Sequence, residues 1–380
     1  MKNTAIATLT ASFEESGNVA EWDAKQQGGE VVLSWPSVPI EIIRAAGLSP
    51  VFVRGGFSAT PMADAYLEPG IFPDRLRRLA QAALSERLAH AAAIVIPRTS
   101  DPDYKFFLYL REFVRRGIVS RLPPVLLLDV LQSQGPDVRS YNAARLRDLL
   151  HELTKANNRI VTLDDLRLEI DKSNSARAAG RRLNSLRRGI PRIKGAEVFP
   201  LLGAFWTVEP ETYAILASAA ADEIARRSPL AGPRVLLAGA PVDGTKLHLA
   251  IEMRGAVVVS EIGPWGSGAI GADVACDDDP ITALADKYSA DILTPRTPAP
   301  KLRTAIAELL DDVDAVVVSL PREDTTFGWD YPSLRSLLQS KGIPHVCLSG
   351  DSHTSLSAAN DERLDTLMSV VPVRMEERRG

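Results

Sequence analysis

The chain has 380 residues, 45% hydrophobic and 24% charged, which places it among ordinary globular proteins long enough for two domains. Its net charge of −4 lacks the concentrated excess of lysine and arginine that a nucleic-acid surface needs. Met1–Ala11 lacks the basic patch and apolar run of a signal peptide, no stretch reaches the ~18 apolar residues of a membrane span, and Cys276 and Cys347 have no CxxC spacing, so a cytoplasmic, reducing setting is expected without nucleic-acid or membrane partners.

Residues 1–29 mix polar and small types without periodicity and read as an arm or short helix outside the core. From Glu30 onward, short apolar runs alternate with amphipathic stretches. Strands are predicted at Val31–Leu33, Val51–Arg54, Ala92–Ile96 and Val125–Leu128, with helices at Val38–Ala46, Asp74–Ala89 and Tyr104–Arg116. Buried strands of this kind imply a parallel sheet covered on both faces. Residues 140–188 read almost entirely as helix, with Leu146, Leu149, Leu150 and Leu153 on one face and Asp164 as an N-cap after Thr162. Gly189, Pro191 and Gly195 end that region, and a further helical stretch covers Val208–Arg227. Pro229, Gly232 and Pro233 form a turn-rich linker that marks a domain boundary.

A second alternating set follows. Its predicted strands are Val235–Leu237, Val257–Val259, Ala315–Leu320 and His345–Leu348, and its helices lie near Thr245–Arg254, Ile281–Tyr288, Lys301–Leu310 and Tyr331–Gln339. The expected fold class is therefore α/β, with an arm at 1–29 and two doubly wound, mainly parallel domains at 30–228 and 229–380, the first carrying the helical insertion. A ligand cleft is expected between them, at the carboxyl ends of the strands.

No phosphate loop of the GxxxxGK[ST] type and no HExxH occurs, and no clean GxGxxG directly follows a strand. The basic stretch Arg177–Lys194 follows the acidic run Asp164–Asp171 and reads as a solvated helix face before an anion contact. Gly263–Gly268 follows the strand ending at Glu261, where free amides could meet an anion, although such a turn is more often a connection. Asp351, Ser352 and His353 are chain neighbours and so do not make a triad, and His90, His151, His248 and His345 lack the i, i+4 pairing of a metal site. Glu41 reads as helix-start electrostatics before a site group. Three polar loops, Ser34–Ser37, Pro97–Asp101 and Pro321–Thr325, each follow an apolar strand and in a doubly wound fold would share the ligand edge.

The blocks VPIEIIRAAGLSP (38–50), IPRTSDPDYKFFLYLREF (96–113), GPRVLLAGAP (232–241), EMRGAVVVSE (252–261) and WDYPSLRSLLQSKGIP (329–344), in this order, resemble the 2-hydroxyacyl-CoA dehydratase and benzoyl-CoA reductase subunit family, D-component type. The similarity covers most of Glu30–Asp351. It implies paired, related subunits built of Rossmann-like halves that act on CoA thioesters through iron-sulfur clusters, with an ATP-driven activator supplying an electron. A ketyl radical at the thioester carbonyl then leads to loss of water from a 2-hydroxyacyl-CoA or to reduction of an aromatic acyl-CoA.

The resemblance also implies cysteines where this chain has Phe72, Ser100 and Asp324, with Pro264 replacing another. Such clusters are held by thiolates. Cys276, in an Ala-Cys-Asp-Asp-Asp turn, and Cys347, in an apolar strand, do not supply them. The expectation is a subunit that binds no metal or cofactor itself, the cluster being carried by a homologous partner in a hetero-oligomer that acts on a CoA thioester. The alternatives are a catalytically silent structural subunit and an iron-independent acyl-CoA enzyme. The candidate acid or base groups are Asp324 and Glu261, and Ser37, Ser100, Asp101 and Ser267 are the candidates for holding the thioester.

Overall fold

The computed structural model describes residues 4–16, 29–54, 59–276, 279–290, 294–324, 326–351 and 356–372. Helix α1 (Ala5–Ser16) precedes β1 (Glu30–Leu33), α2 (Ile40–Ala45), β2 (Ser49–Phe52), α3 (Pro61–Asp64), α4 (Asp74–Leu84), β3 (Ala93–Pro97), α5 (Asp101–Arg115) and β4 (Val125–Leu128). A helical middle follows, made of α6 (Pro136–Asn157), α7 (Leu163–Ser185), α8 (Gly195–Gly203) and α9 (Pro210–Ala225). The rest is β5 (Arg234–Gly239), α10 (Lys246–Glu252), β6 (Val257–Glu261), α11 (Ser267–Ile270), α12 (Pro280–Ala290), α13 (Ala299–Ala307), β7 (Ala315–Leu320), α14 (Phe327–Ser340), β8 (His345–Ser349) and α15 (Ala358–Val370).

The eight strands form two four-stranded sheets, ordered β2-β1-β3-β4 and β6-β5-β7-β8, and every pairing is parallel. The mixed α/β architecture with parallel sheets is thus the expected one. Side chains alternate across a strand, and that alternation assigns each sheet face to a different core. Val31, Leu33, Ala93 and Val95 of the first sheet join Val235, Leu237, Ala315 and Val317 of the second in one large cluster shared with the helical middle. Val32, Ile94 and Ile96 face a second cluster with α4 and α5, whereas Leu236, Val316 and Val318 face a third with α13 and α14. The two sheets thus share the helical middle as a common interior layer.

Several expectations need correction. Residues 1–29 do not stand wholly outside the core, because Leu9 and Phe13 of α1 are buried in the shared cluster. Residues 17–28 lie outside the described residues. The long helical region is two helices, broken where Asn158 adopts a left-handed φ of 47° at the end of α6. Thr162, not Asp164, caps α7: its hydroxyl accepts from Asp165 N–H while the Asp165 carboxylate accepts from Thr162 N–H, a reciprocal capping box. Helix α4 ends at Leu84 rather than near Ala89, with the Ser85 hydroxyl donating back to Gln81 O and Glu86 turning to φ 58°. Helices α8 and α15 were not anticipated.

The stretch expected to be a solvated basic face is not uniformly so, since Arg177 and Arg187 are fully buried. Arg177 bonds Glu41 at 2.6 Å, and the Tyr288 hydroxyl donates to the other Glu41 oxygen at 2.9 Å. Burial opposes the charge on Glu41, yet Arg177 and these hydrogen bonds hold its carboxyl below the usual range. One carboxylate of α2 thereby ties α7 of the middle to α12 of the second half.

Candidate functional site

In each sheet the first strand lies between the second and third, so the chain leaves it in one direction and returns on the other side. The order reverses between β1 and β3 and again between β5 and β7. A crevice opens where connections diverge in this way, beyond the carboxyl ends of the strands. Here the two crevices contribute to one cleft, with about 700 Å³ of open space including its mouth. Trp35 comes from the loop after β1, Ser100 and Pro102 from the crossing into α5, and Pro73–Arg75 from the start of α4. Ala240, Pro241 and Asp243 follow β5, and Pro321, Glu323, Asp324, Thr326 and Phe327 follow β7. Gly239 ends β5 at φ 96°, where a Cβ would stand 2.3 Å from Ser319 O, so glycine alone lets the chain turn into the cleft wall.

The first-half edge is organised by a buried carboxylate. Asp103, fully buried in the first turn of α5, accepts from Arg75 at 2.7 Å, Ser100 Oγ at 2.7 Å and Thr99 Oγ1 at 2.5 Å. Ser100 is the N-cap of α5, its side chain also accepting from Asp103 N–H. Arg75 donates in addition to Ser34 O at 3.1 Å and lies 4.7 Å from the centre of the Trp35 ring. One guanidinium therefore fixes the loops after β1 and β3 relative to α4.

The second-half edge is arranged differently at the corresponding place. Asp324 receives Phe327 N–H at 3.1 Å and Gly328 N–H at 2.8 Å, one on each carboxylate oxygen, and so satisfies free amides at the start of α14. Pro97-Arg98 and Pro321-Arg322 stand at the same point of the two halves, but the residue three positions beyond the proline is the helix N-cap only in the first, Ser100; Asp324 lies two residues before the N-cap Thr326 and reaches the α14 amides from there. Thr325, part of the predicted loop, lies outside the described residues, as do Ser352 and His353.

The remaining sequence candidates are placed elsewhere. Asp101 is exposed in the first turn of α5 and does not line the cleft. Ser37 borders a smaller neighbouring hollow with Arg98 and Arg296, which both pair with Asp129, and its buried hydroxyl has no hydrogen-bond partner among the described residues. Glu261 is buried behind the cleft at the end of β6, with Arg187 donating to its two oxygens at 2.5 and 2.8 Å and His248 Nε2 at 3.3 Å. Burial raises its pKa, but the Arg187 and His248 contacts outweigh that and hold the carboxyl far below the ordinary range. Ser267 belongs to the same structure: its N–H donates to Glu261 Oε1 at 2.6 Å and its hydroxyl to Glu261 O at 3.1 Å. The glycine-rich loop therefore does meet an anion, and that anion is the chain's own carboxylate. Gly266 is required there, since a Cβ would lie 1.7 Å from Glu261 Oε1.

An iron-sulfur cluster does not fit the donor set at the positions where the resemblance implies cysteine. Phe72 packs in the core, 5.6 Å from the Tyr109 ring centre, and offers no donor. The Ser100 hydroxyl is bound to Asp103, the Asp324 oxygens are bound to backbone amides, and Pro264 accepts the Trp206 indole N–H at 2.9 Å. Cys347 packs against the cluster formed with α13 and α14, and Cys276 against the shared core, so neither joins these positions.

Sequence reasoning missed Arg75, Asp103, Asp243 and Phe327 as parts of this site. For Asp103 a signal existed, because Ser100-x-x-Asp103 at a helix start is a capping pattern. For Arg75 none did, since one arginine in a run of three gives no sign of which way it faces. A family model described as 2-hydroxyglutaryl-CoA dehydratase, D-component, matches residues 37–370, in agreement with the order of the sequence blocks. The chain belongs to that family. No curated protein matches it.

Proposed function

We propose that this D-component family member is the cluster-free subunit of a 2-hydroxyacyl-CoA dehydratase- or benzoyl-CoA reductase-like heteromer, with the iron-sulfur centre in a homologous, cysteine-bearing partner. In this reading the chain acts in the cytoplasm through two Rossmann-like units, 30–228 and 229–380, and the cleft between their strand ends receives an acyl-CoA thioester. The observation that carries it is that each position implied for a thiolate ligand is taken up by packing or capping: Phe72 in the core, Ser100 at the start of α5 and Asp324 at the start of α14. Soft iron centres are held by thiolates, and oxygens already committed to backbone amides are poor substitutes. What the chain itself supplies is a shaped wall that positions substrate and excludes water. The test is reconstitution: the chain alone turns over no acyl-CoA, and activity appears on adding a cysteine-bearing homologue and its ATP-dependent activator. Turnover by the chain alone would contradict the proposal.

A second reading, a catalytically silent partner, is favoured by one observation: both candidate acid or base groups are already engaged, Glu261 by Arg187 and Asp324 by the amides of α14. Asparagine supplies only one of the two acceptors that the carboxylate offers the α14 amides, so Asp324→Asn is assayed under conditions where urea unfolding shows the variant folded. Reduced activity of the reconstituted heteromer then assigns Asp324 to the chemistry. Full retention of activity and acyl-CoA affinity supports the silent reading.

A further inference from the structure

We infer that the outer face of α5 is a self-complementary surface that pairs with the α5 of a second copy of this chain, antiparallel about a two-fold axis at Leu108. A surface helix ordinarily buries one apolar stripe and turns polar groups to water. Helix α5 buries Phe106, Leu110 and Phe113 in the cluster it shares with α4, and yet Tyr104, Leu108, Tyr109 and Val114 on its other sides are 37–45% exposed. The apolar surface continues onto the segment before α4. Tyr66 packs edge-on to Phe113 at 5.1 Å, Tyr109 does so at 6.2 Å, and Tyr109 also meets Phe72 at 5.6 Å. Tyr66 and Ile71, the chain neighbour of Phe72, are each 42% exposed. Tyrosine and aliphatic side chains gathered on one face in this way mark a protein contact.

The charges on that face identify the occupant. At 3.6 residues per turn, Asp101, Leu108 and Arg115 stand two turns apart along the middle of the outer stripe, Lys105 and Glu112 along one flank, and Tyr104 and Arg111 along the other. All of these side chains are exposed. A two-fold axis that lies between the copies, perpendicular to the helices at Leu108, reverses the order along each line and keeps each flank on its own side. Lys105 of one copy then meets Glu112 of the other, Tyr104 meets Arg111, Asp101 meets Arg115, and Leu108 meets its counterpart. Each contact is a pair of opposite charges, a cation on an aromatic ring, or apolar on apolar. The antiparallel setting also lays the N-terminal end of each helix dipole beside the C-terminal end of the other. A parallel pairing would set each charge against its like. Within one chain Arg115 bonds Glu112 at 2.7 Å, an exposed contact whose loss costs little when Asp101 and Lys105 of the second copy take up the two groups.

The test is sedimentation equilibrium of the full chain and its variants from about 1 to about 100 μM. The substituted positions are exposed, so urea unfolding should change little. The parent chain is expected to pass from the mass of one chain toward twice that mass across this range. Leu108→Glu sets like charges face to face at the axis and should leave only monomer. Lys105→Glu and Glu112→Lys should each raise the dimer dissociation constant about tenfold or more, and the two together should restore it to within about threefold. A parent chain that stays monomeric throughout overturns the inference, and loss of binding to a homologous partner on Leu108→Glu would then give the face to that partner. A dimer that none of these variants weakens overturns it too, as do single charge reversals that the double reversal fails to rescue.

Discussion

The two halves share one strand order and place at the same point after the third strand a side chain that accepts helix-start amides, yet they stabilise that point differently. In the first half the cap Ser100 is bound to Asp103, whose charge is compensated by Arg75 beneath the cleft. In the second half Asp324 bonds local backbone at the start of α14, and one of the buried carboxylates of that half, Glu261, stands at the end of the outer strand β6 and does not line the cleft. Equivalent topology thus yields one cleft wall pinned by a buried ion pair and an opposing wall where Asp324 holds the amides of α14 and Arg322 N–H donates to Asp351 O. The opposing wall carries the acidic residues Glu323 and Asp324.

The sharpest test of this contrast is Arg75→Met, which leaves Asp103 buried and uncompensated and should cost about 3–5 kcal/mol by urea unfolding. If it costs less than a surface change, the first wall is not pinned as described. Glu261→Gln should be of similar size, since it strands Arg187 in the interior. It should also alter the pH response. The folded-state pKa of Glu261 is lowered from 4.5, so its contribution is complete above about pH 4.5 and is lost as pH falls through the folded value. Between pH 5 and pH 2 the Gln variant should therefore show a shallower loss of stability than the parent, and identical slopes would remove Glu261 as a source of acid sensitivity.

Asp324→Ala should cost only about 0.5–2 kcal/mol, the range for losing a side-chain acceptor at a helix start, with Asp324→Asn recovering part of it through its one acceptor oxygen. A loss matching Arg75→Met would erase the difference between the walls. Smallest of all, Asp101→Asn removes an exposed first-turn charge from α5 and should shift stability by about 0.3–1 kcal/mol at low salt, and less at high salt.

Much of this architecture is legible in the sequence because buried parallel strands are continuous apolar runs: Ala92–Ile96 and Ala315–Leu320 announce themselves, and β3 and β7 fall within a residue of them. The three polar loops were legible for the same reason, and Trp35, Ser100, Pro321, Glu323 and Asp324 do meet in one cleft. Burial of charge was not legible. Arg177, Arg187, Glu41 and Glu261 look like surface groups in a one-dimensional pattern, and only the partner brought from over 70 residues away makes their burial possible. Likewise α1 has only two buried side chains, Leu9 and Phe13, too few to impose a periodicity on a short polar segment. Glu261 and Ser267 were chosen because they follow a strand, but the strand is β6, which stands outside the switch point between β5 and β7.

The central claim is that this chain cannot hold the family's iron-sulfur centre. Its most direct test is anaerobic reconstitution of the purified full chain with ferrous iron, sulfide and a thiol reductant, followed by removal of unbound metal and determination of iron and acid-labile sulfide per chain. The account predicts neither in stoichiometric amount and no cluster absorption in the visible region. Stoichiometric iron and sulfide carried by the single chain would contradict it.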